Sequence, residues 1–204
     1  MEKMKKLKIG VTGGIGSGKS EFCKFLIKKG FPVINVDNLA KELLVSDANI
    51  KSDIIKQFGE ASYNESGKIN KKYISGKVFS TSQNVQKINS IVHPKVKEKV
   101  QNIISDKLID SDIVIVEAAL IYEASMDEMF DYVVLITADE KIRMERMMKY
   151  SGYSIDEFTK RNENQISDEE KIKRADFIFI NNGTPDELNK KANLFINIIH
   201  GLIV

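Results

Sequence analysis

Cysteine is nearly absent from this 204-residue chain. Its only thiol, Cys23, has no partner within the chain, which excludes an intramolecular disulfide and points to a reducing compartment. Three prolines and twelve glycines never gather into a linker, and no repeat or low-complexity tract breaks the sequence, so no domain boundary is evident. No apolar run approaches the length needed to span a bilayer. An excess of one charge is missing too: 31 basic against 29 acidic side chains leave a net charge of +2. That balance argues against a nucleic-acid partner held by bulk charge, yet leaves room for a local basic site for a phosphorylated small molecule. The basic start, with Lys3, Lys5, Lys6 and Lys8, reads as a solvated terminus. It passes straight into an apolar segment without the long apolar stretch or cleavage site of a secretion signal. The expected setting is the cytoplasm, with neither membrane nor nucleic acid as a partner.

What is present is material for a core, with 42% hydrophobic residues. Leu7 to Thr12, Phe31 to Val36, Ile113 to Val116, Tyr132 to Thr137 and Phe177 to Ile180 are short runs rich in valine and isoleucine. Residues apolar in succession fit strands buried on both faces, as in a parallel sheet covered by helices. Between them the period becomes helical. Phe22, Phe25 and Leu26 share one face, Asp139 is placed to cap a helix carrying Ile142, Arg143, Arg146 and Met147, and Leu188, Ala192, Phe195 and Ile199 recur at helical spacing. Strand alternating with helix predicts an α/β fold. Residues 46–108 depart from the alternation; Asn49 to Phe58 and Val85 to Ile104 look helical, with Gly59 and Pro94 as interruptions. Residues 147–173 are polar and charged, and are either a lid over a phosphate site or a solvated helical hairpin.

Gly13-Gly14-Ile15-Gly16-Ser17-Gly18-Lys19-Ser20 satisfies G-x-x-x-x-G-K-[ST] in full, after an apolar strand and before an amphipathic helix. The glycines let successive backbone N–H groups face phosphate oxygens, and the helix N-terminus adds partial positive charge. Lys19 is expected on the β- and γ-phosphates and Ser20 on Mg²⁺. A dinucleotide fingerprint is excluded by counting: from Gly14 and Gly16 its third glycine would fall at Lys19. The motif predicts binding of a nucleoside triphosphate and leaves the acceptor open.

Asp37 follows the second strand, where strand ends line the ligand crevice of such sheets. It reads equally well as a base for an attacking hydroxyl and as the N-cap of the helix after it. Glu117, ending another apolar strand, suits Mg²⁺ through a water or the orientation of Ser20. Asn181-Asn182-Gly183 follows the last strand and reads either as a wrap around adenine or as an ordinary turn. His93, before Pro94, reads as a structural or substrate-contact histidine rather than a general base. Cys23 reads as helix packing.

From end to end the chain resembles the dephospho-coenzyme A kinase family. Ile9-Gly10-Val11-Thr12 and the phosphate loop match its opening. Asn35-Val36-Asp37 stands where the family usually has Asp-x-Asp, and implies that Asp37 is the base without a supporting charge at Asn35. Phe58-Gly59, Gly67 to Lys71 and Ile91-Val92-His93-Pro94 resemble its helical insertion, with Asn70-Lys71 in place of Asp-Arg. Glu117-Ala118-Ala119-Leu120-Ile121-Tyr122-Glu123 resembles its third-strand signature, with Ala119 for proline and Glu117 for aspartate. Arg146, then Arg161 with Gln165, match its lid, where Tyr150 replaces a frequent second arginine. Glu170-Lys171-Ile172, Ala175-Asp176 and Asn181-Asn182-Gly183 match its ending.

The resemblance implies one P-loop kinase domain with a parallel five-stranded sheet. Its core would be about residues 1–45, 109–146 and 174–204, with a substrate-binding helical insertion at 46–108 and a mobile lid at 147–173. It implies ATP and Mg²⁺ as cofactors and dephospho-CoA as the small-molecule substrate; a monomer is expected. Asp37 would take the proton of the ribose 3′-hydroxyl. Lys19, Mg²⁺, Arg146 and Arg161 would meet charge on the moving phosphoryl group, and Asp37, His93 and Arg161 would contact substrate. Two other readings remain: a kinase for a nucleoside, nucleotide or other small acceptor, and a regulatory or assembly protein that binds nucleotide without acceptor chemistry.

Overall fold

The structure, a computed structural model, describes residues 5–78 and 80–203; Lys3 of the basic start lies outside the described residues. The chain packs as two compact units, one ending at Asn35 and resuming at Ile103, the other formed by Val36–Asn102.

The first unit is built on a sheet of five strands: β1 (Leu7–Thr12), β2 (Val33–Asn35), β3 (Ile113–Glu117), β4 (Tyr132–Thr137) and β5 (Phe177–Ile180). All pairings are parallel, in the order β2-β3-β1-β4-β5. Uninterrupted Val/Ile runs become the central strands because both faces need covering, and all five residues of β3 are buried. The expected strand at Phe31 to Val36 is shorter at both ends: it starts only at Val33, after Pro32, and helix begins at Val36.

Helix α1 (Lys19–Lys28) buries Phe22, Cys23 and Leu26 against the sheet. They join Leu188, Ala192, Phe195 and Ile199 of the C-terminal helix Pro185–Leu202 in one core, where Phe22, Phe179 and Phe195 meet ring against ring. The parallel arrangement puts every strand's C-terminal end at one edge of the sheet. Thr12, Asn35, Glu117, Thr137 and Ile180 are the residues delivered there.

The second unit is helical. Helix α2 (Val36–Ser46) is followed by α3 (Ala48–Phe58), α4 (Lys71–Val78) and the start of α5 (Ser82–Asp110). Asp47 caps α3, its carboxylate accepting from the N–H groups of Asn49 and Ile50 at 2.9 and 3.0 Å. Ile50, Ile54 and Phe58 then fall on one face and share a core with Tyr63, Ile74 and Val78. Gly59 ends α3 as expected, but Pro94 does not interrupt α5. Its ring is exposed, and the carbonyl of Ser90, which a proline at 94 cannot serve with an N–H, belongs to an exposed residue open to solvent.

Between β4 and β5 lie α6 (Glu140–Ser151), α7 (Ile155–Glu163) and α8 (Asp168–Arg174). A capping box at Ser154 and Glu157 starts α7, and Ser167 caps α8. Asp139 stands at the N-cap of α6 without a side-chain capping bond; its own N–H donates to Asn182 Oδ1 at 2.9 Å. No helix of the described residues is long and apolar enough to cross a membrane.

Candidate active site

Gly13 to Gly18 form the loop from β1 into α1. Gly16 and Gly18 adopt φ of 78° and 94°, a left-handed backbone that a side chain would strain. The Ser17 N–H donates to the Gly14 carbonyl at 3.1 Å, and Asn181 Nδ2 donates to the Ser17 carbonyl at 2.8 Å. Gly18, at the N-cap, offers no side chain, so the N–H groups of Lys19 and Ser20 lack an acceptor within the helix. The Ser17 hydroxyl is buried without a partner. Unpaired donors at a helix N-terminus are what an anion needs.

The charged centre of this edge is Glu117, 4% exposed at the end of β3. Its Oε1 accepts from Lys19 Nζ at 3.0 Å and from the Ser20 hydroxyl at 2.5 Å. Its Oε2 accepts from Asn35 Nδ2 at 2.8 Å. Burial alone would push the carboxyl up. The Lys19 ammonium and the hydrogen bonds of Ser20, Lys19 and Asn35 outweigh burial and hold it below the usual carboxylate range. The amide at 35 donates to Glu117, where a carboxylate could only accept.

The lowered value has a definite sign in stability. Glu117 contributes fully above its ordinary value of about 4.5, and that contribution is lost as pH falls through the lower folded value. Glu117→Gln is therefore expected to flatten the fall of Tm between about pH 6 and pH 3, measured by thermal denaturation. Parallel curves for wild type and variant would contradict it.

Two hard oxygens, the Ser20 hydroxyl and the Glu117 carboxylate, converge beside the loop, and this donor set fits Mg²⁺. No group of three or more His, Cys, Asp or Glu side chains able to hold a metal occurs among the described residues. A magnesium that keeps waters and takes phosphate oxygens needs few protein ligands.

The other candidate residues divide. Arg146 on α6 donates from Nη1 to the Asn181 carbonyl at 2.9 Å and from Nη2 to the Gly183 carbonyl at 3.1 Å, tying down the loop after β5. Arg161 is exposed on α7, its guanidinium 4.9 Å from the centre of the Tyr153 ring. Tyr150 is exposed at 74%. Asp37 is exposed in the first turn of α2, which starts at Val36, so it is inside the helix and not its N-cap. His93 is half-buried in α5, and burial together with the Lys97 ammonium lowers its imidazole below the ordinary value. Cys23 is buried and its thiol pushed far up by burial, so it is inert packing.

Two further residues reach the phosphate loop, Arg143 from α6 and Gln165 from the charged segment after it, and neither contact with Ile15 was expected. Arg143 donates from Nη1 to the Ile15 carbonyl at 3.2 Å, and Gln165 Oε1 accepts the Ile15 N–H at 3.2 Å. The glutamine is marked by its match to the lid signature. The arginine carries no mark, since nothing in a helix as polar as α6 distinguishes a buried guanidinium from a solvated one.

A glycine loop running from a central parallel strand into a helix, with its lysine and serine on a carboxylate from the neighbouring strand, defines a P-loop nucleotide-binding protein. The profile of dephospho-CoA kinase matches residues 7–187, and the chain belongs to that family of ATP-dependent phosphotransferases. The dephospho-CoA kinase of Salinibacter ruber is 35% identical over 186 residues, covering 90% of this chain and 93% of that protein. Among solved structures, one from Thermus thermophilus superposes with a TM-score of 0.80 at 28% identity, over 95% of this chain and 97% of that one. Dephospho-CoA kinase from Campylobacter jejuni gives 0.69 at 27% identity, over 94% and 96%.

Proposed function

We propose that the protein transfers the γ-phosphoryl group of ATP to the ribose 3′-hydroxyl of dephospho-CoA, releasing ADP and CoA. The observation that carries the nucleotide half is the convergence of Lys19, Ser20 and Asn35 on Glu117 at the phosphate loop. The acceptor follows from membership of the family.

In this reading the amides of residues 13–20 grip the phosphates, with Lys19 moving from Glu117 to the β- and γ-oxygens. Ser20 would hold Mg²⁺ with Glu117 behind it, and the ion supplies neutralisation of phosphate charge when bound. Asp37 accepts the proton of the 3′-hydroxyl as its oxygen bonds to the γ-phosphorus and the bond to the bridging oxygen of ADP breaks. Arg161 meets charge on the moving group. Arg146 joins it only by exchanging the carbonyls of Asn181 and Gly183 for phosphate oxygens; while it holds them, it shapes the loop assigned to adenine. The helical unit, with His93, takes the acceptor, and residues 147–173 act as the lid. Action as a monomer in the cytoplasm completes the proposal.

ADP release measured with and without dephospho-CoA tests it. Release is expected to depend on dephospho-CoA, and a nucleoside in its place should leave only background. Equal release without any acceptor would defeat the assignment.

A further inference from the structure

Ile15, in the middle of the phosphate loop, is held by both of its backbone polar groups. Gln165 takes its N–H and Arg143 its carbonyl, each at 3.2 Å. Arg143 is 3% exposed and nearly every donor it has is used. Nε donates to the Ala138 carbonyl at 3.1 Å, Nη1 also donates to Asn162 Oδ1 at 2.9 Å, and Nη2 lies 3.3 Å from Asp168 Oδ2. The loop packs directly on this residue. A Cβ on Gly14 would come within 2.7 Å of Nη1, and one on Gly16 within 2.5 Å of the Arg143 carbonyl oxygen. Asp168, in turn, accepts from the Thr137 hydroxyl at 3.2 Å and lies 3.8 Å from the buried Lys171 ammonium.

A guanidinium so enclosed has no fork left for a phosphate, so it acts through the loop. We infer that Arg143 and Gln165 are positioning residues that set the shape of the phosphate loop and make nucleotide affinity depend on the segment carrying α7 and α8. This rests on the phosphate loop being the nucleotide site. Asn162 and Asp168 then govern ATP affinity through Arg143, because each holds one of its nitrogens. Planarity matters here, since four acceptors in different directions need a fork and a single ammonium serves them poorly.

The test is calorimetry of ADP·Mg²⁺ with steady-state kinetics on the full chain, each variant measured below its own Tm. Arg143→Gln is expected to raise the Kd for ADP and the KM for ATP about tenfold, with the KM for dephospho-CoA within about twofold. Arg143→Lys should not rescue it. Asp168→Asn and Asn162→Ala should raise the same two constants about threefold. Asp168→Asn keeps the shape of the side chain and removes the charge facing Arg143 and Lys171, so it carries the test if Arg143→Gln fails to fold. Unchanged Kd in variants whose Tm alone has dropped would overturn the inference, as would equal rises in both KM values. A Lys19→Ala protein that binds ADP like wild type would instead sink the nucleotide-site reading itself.

Discussion

Lys19→Ala is expected to lower kcat/KM by at least about a thousandfold, near 4 kcal/mol of transition-state stabilisation. The ammonium is the only side-chain cation of the phosphate loop, and charge moving toward the bridging oxygen needs a partner already in place. A second consequence is separable from the first. Lys19 and Glu117 side chains are 9% and 6% exposed, so removing the lysine leaves a buried carboxylate with only Ser20 and Asn35 as donors. Loss of one member of such a pair costs about 3 kcal/mol, seen as a lower Tm with the far-ultraviolet spectrum intact. Lys19→Ala with Glu117→Gln should recover much of that Tm while turnover stays lost, because a neutral amide needs no ammonium. Turnover of the single variant near the wild-type rate would refute the role given to Lys19.

Asp37→Asn is expected to reduce kcat about a thousandfold, the middle of the range for a positioned general base. Asparagine keeps the shape and loses the ability to take the hydroxyl proton. The Kd for ADP and the KM for dephospho-CoA should stay within about threefold, since the change strikes the transition state and not ground-state binding. Stability should move little. Asp37 is exposed in the first turn of α2, where its charge on the helix dipole is worth about 0.5 kcal/mol. Near-full activity of this variant with dephospho-CoA would transfer the base to another group or to solvent.

Asn35 shows how a departure from a familiar pattern finds its explanation. From the residues alone, the amide in place of an aspartate is a missing charge. In the fold it is a donor to Glu117, which a carboxylate at that position could not be. Pro94 is the reverse case. Its ring forbids one hydrogen bond, and whether that ends a helix depends on whether water reaches the orphaned carbonyl, which only exposure decides.

The strands, the phosphate loop and the α/β alternation were readable in the chain because they arise from neighbours: runs of Val and Ile, glycines at fixed steps, apolar residues a helical turn apart. Gly16 and Gly18 take left-handed φ whatever lies elsewhere, and β1 and β4 begin and end where their apolar runs do. The grip on Ile15 was not readable. Arg143 lies 128 residues from it and Gln165 150 residues, and no local pattern specifies a partner across such a span. Folding alone selected which arginine of a charged helix is buried behind the loop, since burying a guanidinium is tolerable only where several acceptors already converge.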